Sequence, residues 1–117
     1  MRVKEGVLWS GERCPKGVQR PILRAMELID PIMEASGQYT VTSLVDGAHG
    51  PNSLHYVGIA MDLRTRHMKN ADEVSAVARR LQEELGRMYQ VIVEKDHIHI
   101  EMSPLWLTAN GDPRKAV

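Results

Sequence analysis

Five histidines stand in this chain of 117 residues, and all of them fall between residues 49 and 99: His49, His55, His67, His97 and His99. Imidazole exchanges a proton near neutral pH and is the commonest protein ligand for metals. His55 and Asp62 flank a stretch of strand-like alternation. His97 and His99 lie two apart in a second such stretch, so they project from one face and leave Ile98 and Ile100 for the core. A sheet that joins the two stretches brings His55, Asp62 and one of His97 and His99 around a single ion. Three ligands of this kind suit zinc and leave a fourth position for water, which is the catalytic arrangement. The residues between His55 and Asp62 fit that use: Gly58 permits an unusual backbone angle or a close approach, and Ala60 leaves room on the face that Asp62 shares. Any one of these histidines alone reads as a surface or hydrogen-bonded residue; the metal reading rests on the set.

The elements that must position the set are legible in outline. Residues 1–18 read as an arm or short strand followed by a loop. Apolar residues recur at helical spacing from about residue 20 to 35, with Pro21 in the first turn and Pro31 placed to kink or divide the helix. Residues 39–45 are rich in β-formers and predict a strand. Residues 56–64 alternate, with Ile59, Met61 and Leu63 on one side and Ala60, Asp62 and Arg64 on the other, and predict a half-buried strand. A second helix is expected from Asn70 or Ala71 to Met88, with Asn70 as its cap and Glu73 as reciprocal partner. Residues 89–94 and 97–102 predict a hairpin, and the tail after Trp106 is expected to fray. The reading is one α+β domain over residues 1–117: a small antiparallel sheet with helices packed on one face.

Composition narrows the function. Lys plus Arg equals Asp plus Glu, 15 against 15. That balance gives no general pull toward nucleic acid or an anionic membrane, and no basic patch is interleaved with aromatics. No apolar run is long enough for a transmembrane segment. The first residues lack an apolar signal segment, so the chain is expected in the cytoplasm after synthesis. Cys14 is the lone cysteine; it forms no intrachain disulfide and reads as a bystander thiol. Trp9 and Trp106 read as core or rim residues, with substrate contact as the alternative. A monomer is expected.

Ser53-Leu54-His55-Tyr56-Val57-Gly58-Ile59-Ala60-Met61-Asp62 resembles the SxHxxGxAxD pattern of the zinc D,D- and L,D-peptidases, which include D-Ala-D-Ala carboxypeptidases and phage L-alanyl-D-glutamate endolysins. Hedgehog signalling domains share that zinc fold. The second signature of the family, an acidic residue three positions before the last zinc histidine, is met by Asp96-His97-Ile98-His99. The resemblance spans roughly residues 39–102 and implies a hedgehog/D,D-peptidase-like fold. It implies Zn(2+) held by His55, Asp62 and His99, with Asp96 as general base, His97 lining the site and Ser53 supporting the ligand loop. It implies bacterial peptidoglycan peptides as substrate and hydrolysis of a stem-peptide or cross-link amide. A phage enzyme released to the wall by a separate protein fits the absence of a signal segment. His97, and with it His49, is expected to stabilise the oxyanion. The alternative is a zinc-stabilised binding or structural module. One departure stands out: many members carry a carboxylate-binding arginine after a Thr-Ser-Gly strand, whereas Thr42-Ser43 is followed by Leu44-Val45-Asp46. Arg20, Arg24, Arg64 and Arg66 are the residues that could replace it.

Overall fold

The computed structural model describes residues 1–47, 49–50 and 53–106. In chain order the elements are β1 (Arg2–Val3), α1 (Arg20–Ala35), β2 (Thr40–Ser43), a 3-10 turn (Leu54–Val57), β3 (Ala60–Arg64), α2 (Ala71–Leu85), β4 (Tyr89–Val93) and β5 (His97–Met102). The strands form one sheet in the order β1-β2-β3-β5-β4. The sheet is mixed, not antiparallel throughout as the sequence suggests, because β1 runs parallel to β2. Arg2 N–H donates to Tyr39 O and Lys4 N–H to Val41 O, so the N-terminal arm adds itself to the exposed edge of β2. Two residues of strand carry no readable alternation, which is why the arm's direction was not legible.

The period-two pattern divides the sheet into two faces. Val41, Met61, Leu63, Ile98 and Ile100 are fully buried against Ile22, Ile29 and Met33 of α1 and Leu81 of α2. Both helices therefore lie on that apolar face. The opposite face carries Asp62 and Arg64 of β3 beside His99 and His97 of β5, each directly paired across the strands. Burying the apolar set fixes the register, because a slip of one residue would send Asp62 and both histidines into the core.

Several boundaries differ from the expected ones. Helix α1 runs unbroken through Pro31; the residue is exposed, so the carbonyl one turn earlier that lacks a partner faces water. Helix α2 stops at Leu85 instead of Met88, at Gly86 with φ 82°. The Gln82 side chain closes that end by donating to Gly86 O and Tyr89 O. Asn70 caps α2 by accepting from Glu73 N–H, as expected, but the Glu73 carboxylate returns to Lys69 N–H and not to Asn70. Strand β2 ends at Ser43, where the Asp46 carboxylate accepts from Leu44 N–H and Leu8 N–H. The expected strand from Tyr56 begins only at Ala60, because Leu54–Val57 turns as a 3-10 helix. Trp106 packs on the small cluster of Leu54, Val57, Ile59 and Ala60, whereas Trp9 is 42 % exposed. Cys14 is buried, its thiol donating to Gly17 O and pushed up in pKa by that burial. The tail expected to fray lies, from residue 107, outside the described residues. No helix of the described residues is long and apolar enough to cross a membrane.

Candidate metal centre

The turn that presents His55 is built by its neighbours. Ser53 Oγ accepts from His55 N–H and starts the turn; Gly58, at φ 78°, ends it in the left-handed region. Only glycine fits there for a second reason as well: a Cβ on Gly58 would lie 2.0 Å from Gly17 O. The same junction docks the start of α1, since Gln19 N–H donates to Gly58 O. His55 is thereby driven inward until its side chain is 2 % exposed. Its ring stacks on His49, with centroids 3.9 Å apart. Tyr56 holds the preceding loop, its hydroxyl accepting from His49 N–H and lying in reach of Gly47 O.

Asp62, in the middle strand, collects three histidines on one oxygen. Its Oδ1 lies 2.9 Å from His99 Nδ1, 3.3 Å from His55 Nε2 and 3.7 Å from His97 Nε2. Each of these rings has its other nitrogen committed elsewhere. His55 Nδ1 donates to Leu44 O at 2.6 Å, His99 Nε2 to Glu101 Oε1 at 2.8 Å, and His97 Nδ1 to Asp96 Oδ1 at 2.6 Å. Those partners are a backbone carbonyl and two carboxylates, which act as acceptors. A neutral imidazole has one N–H, and here it is spent on the outer partner. In that neutral form the nitrogen left over is a lone pair facing the Asp62 carboxylate. Acceptors aimed at one another repel, so the arrangement calls for positive charge between them, supplied by extra ring protons or by a metal ion. An outer acceptor that fixes the tautomer of a histidine is how proteins aim imidazole at metals.

The electrostatics follow the same geometry. Burial disfavours the Asp62 anion, but hydrogen bonds from His55 and His99 and the nearby His97 outweigh it and hold the carboxyl well below its usual range. Burial also disfavours charge on His99, yet its hydrogen bonds to Asp62 and Glu101 prevail and raise its pKa above the ordinary 6.5. His49 is shifted down, chiefly by burial and then by repulsion from His55. Asp96 is fully exposed and lowered in pKa by its hydrogen bond to His97. A cavity of about 590 Å³ opens over Asp62 and His97, with Asp96 at its rim.

The structure thus places His55, Asp62, His97 and His99 at one point and Asp96 on its edge, one ring removed from Asp62. His67 stands apart, 3.2 Å from Ser36 Oγ at the end of α1. Two residues were not foreseen in these roles. Donor atoms of His49, His55 and Asp62 all lie within 4.8 Å of one another, a group that could hold a divalent metal. In the present arrangement His49 Nε2 donates to Asp46 O at 2.8 Å. Glu101 was missed as the outer partner of His99; its position two residues on, sharing the strand face, was the available signal.

No family model, curated protein or solved structure significantly matches the chain. The class that fold and site define is therefore a small α+β domain with a mixed sheet, two helices on one face and, on the other, a His/His/Asp group suited to a divalent metal ion.

Proposed function

We propose that the protein is a zinc-dependent peptidase acting on bacterial peptidoglycan peptides, with the ion held by His55 Nε2, Asp62 and His99 Nδ1. The observation that carries the reading is the convergence of imidazole nitrogens on one buried carboxylate, each ring held by an outer acceptor. His99 is chosen over His49 as third ligand because its Nδ1 already lies against Asp62 Oδ1, whereas His49 Nε2 is engaged by Asp46 O. His97, at 29 % exposure and 3.7 Å, stands on the cavity side of these ligands. The peptide specificity is supported by the SxHxxGxAxD and Asp96-His97-Ile98-His99 patterns of the sequence.

A zinc ion in this place supplies Lewis acidity toward an amide carbonyl and makes water more acidic. The chain's residues do the remainder. Asp96, at the cavity rim and ionised, takes the proton of the attacking water and returns it to the leaving amine. Its bond to His97 Nδ1 holds that ring with Nε2 toward the cavity, where an N–H on Nε2, present when the ring carries both protons, would donate to the carbonyl oxygen as charge develops on it. The buried turn around His55 and the apolar floor beneath the sheet fix the ligands, so that little rearrangement accompanies the reaction.

Digestion of purified peptidoglycan with the zinc-loaded protein tests this reading. New amino groups on intact glycan strands are expected, with their masses identifying the bond cleaved. Asp96→Ala should lower turnover by about 10²–10⁴-fold while retaining zinc. New reducing sugar ends would refute the peptidase. Walls left whole by the wild type, with zinc bound, would assign the chain to a zinc-stabilised binding module.

A further inference from the structure

A second cavity, of about 300 Å³, is separate from the one over Asp62. Glu94 and Lys95 of the β4–β5 turn line it, whereas Asp96 and His97 line the cavity at the metal site. It lies where α2 runs beside the outer edge of β4. One part of that edge is closed. The Gln82 side chain lays its amide along the strand: Nε2–H donates to Tyr89 O at 2.8 Å, and Oε1 accepts from Val91 N–H at 3.0 Å. Backbone groups alternate in direction along an antiparallel strand, and Glu94 N–H turns inward to His97 O. Val91 O and Val93 N–H are therefore the next outward pair, and among the described residues neither has a partner. Ser75 stands seven residues before Gln82, on the same side of the helix. Its side chain is too short to repeat the bridge, and the cavity is the space it leaves, floored by Ala71, Val74 and Val93.

Thr65 is an independent sign of a ligand. It is 8 % exposed, and its hydroxyl has no partner among the described residues. Among those residues no fully buried side-chain oxygen lacks a partner, so this hydroxyl keeps an opening to the cavity it lines. Buried hydroxyls are normally bonded, and this one is left open beside an unpaired step of the strand edge.

The ligand's chemistry follows from that step. An acceptor and a donor side by side complement a group that offers both on one edge. A primary carboxamide does so, and Gln82 shows one seated on the step before. A carboxylate would set an acceptor against Val91 O. A trans secondary amide points its N–H away from its oxygen and cannot close the pair. Glu94 and Lys95 bring one charge of each sign, and Asp72 and Glu73 occupy the first turn of α2, so no positive field draws an anion. With Gln82 on the rest of the edge, too little is open for an added strand.

We propose that this cavity is a second binding site, which takes a primary carboxamide on a short aliphatic stem. The ligand oxygen accepts from Val93 N–H, one ligand N–H donates to Val91 O and the other to Thr65 Oγ1, and the stem lies on Ala71 and Val74. Asparagine and glutamine side chains and amidated chain ends carry this group. The volume stands at the lower end of small-ligand sites, about 300–1,000 Å³, as suits so small a group. The site does not rest on the peptidase reading.

The test titrates the full 15N-labelled chain with butyramide, butyrate and N-methylbutyramide by NMR, up to about 100 mM, the range expected of so small a ligand. Butyramide should shift the Val93 backbone amide saturably, and the other two should not. Ser75→Gln supplies the carboxamide from the chain itself. Ser75 is exposed and glutamine suits a helix, so the fold is kept; the Val93 amide should move without ligand, and butyramide binding should be lost. Thr65→Val, of the same shape, should weaken binding about fivefold. Acetyl-glutamine N-methylamide and acetyl-alanine amide then separate a side-chain source from an amidated chain end, and the one that binds names the source. Equal shifts from butyrate or N-methylbutyramide, wild-type binding by Ser75→Gln, no Val93 shift with butyramide, or failure of both peptide probes would each overturn the site. Wall cleavage enters none of these readouts, so the site and the peptidase reading stand or fall separately.

Discussion

Zinc and a proton compete for His99, and the competition has a predictable size. In the structure His99 Nδ1 lies 2.9 Å from Asp62 Oδ1 and Nε2 lies 2.8 Å from Glu101 Oε1. Burial opposes charge on the ring, but the two carboxylates overcome it and raise its pKa above 6.5. A ring that carries both protons has no lone pair for zinc, so binding must release one. Below the raised pKa, zinc affinity should climb about tenfold per pH unit for each proton displaced, or about 1.4 kcal/mol per unit; above it the curve should level. Glu101→Gln isolates the cause. The amide oxygen still accepts from Nε2–H, but one of the two negative charges is gone. The His99 pKa should fall, the level region should extend to lower pH, and affinity on the plateau should drop by about 10–100-fold, as for loss of other outer partners of metal ligands. Competition titrations with a chelator across about pH 5 to 8 measure both curves. Calorimetry in two buffers of different ionisation enthalpy counts the protons. A wild-type affinity that does not change with pH, or a Glu101→Gln curve that overlies it, would refute the reasoning.

Other perturbations follow from the same geometry. With zinc removed by chelator, the raised His99 pKa contributes stability that is fully present below 6.5 and lost as pH rises through the folded value; melting temperature should be higher near pH 6 than near pH 8, and equal values would contradict the pairing with Asp62 and Glu101. Asp62 acts in the opposite sense, its depressed pKa stabilising the fold above the ordinary 3.8 and failing only in strong acid. His99→Ala should abolish tight zinc binding, whereas His97→Ala and His49→Ala should retain it in chelator competition; loss of zinc from His49→Ala alone would move the third ligand to His49. Gly58→Ala forces a side chain into positive φ and onto Gly17 O at 2.0 Å, and should destabilise by about 3 kcal/mol or more in denaturant unfolding, with zinc affinity falling as the His55 turn shifts.

Much of this site was legible because the sheet face and the chemistry share one period. Alternation along Ala60, Asp62 and Arg64, and along His97, His99 and Glu101, marks which side chains look away from Met61, Leu63, Ile98 and Ile100, and cross-strand pairing then sets Asp62 against His99. Gly58 announced a special backbone position, though not its partner, since the contact with Gly17 is long-range. Three features had no readable pattern. The turn at Leu54–Val57 is apolar enough to pass for strand, and its Ser53 cap is a local hydrogen bond that no periodicity encodes. The parallel addition of Arg2–Val3 depends on an edge left open by β2. His49 comes to His55 through the Tyr56 hydroxyl and the Asp46 carbonyl, both loop contacts.

Anomalous scattering at the zinc edge, from crystals of the protein grown with zinc, tests the central claim most directly. The account predicts one peak per chain, about 2.0–2.2 Å from His55 Nε2, an Asp62 carboxylate oxygen and His99 Nδ1, with Glu101 still bonded to His99 Nε2. A peak ligated by His49 in place of His99, or no peak beside Asp62 in a correctly folded protein, would contradict it.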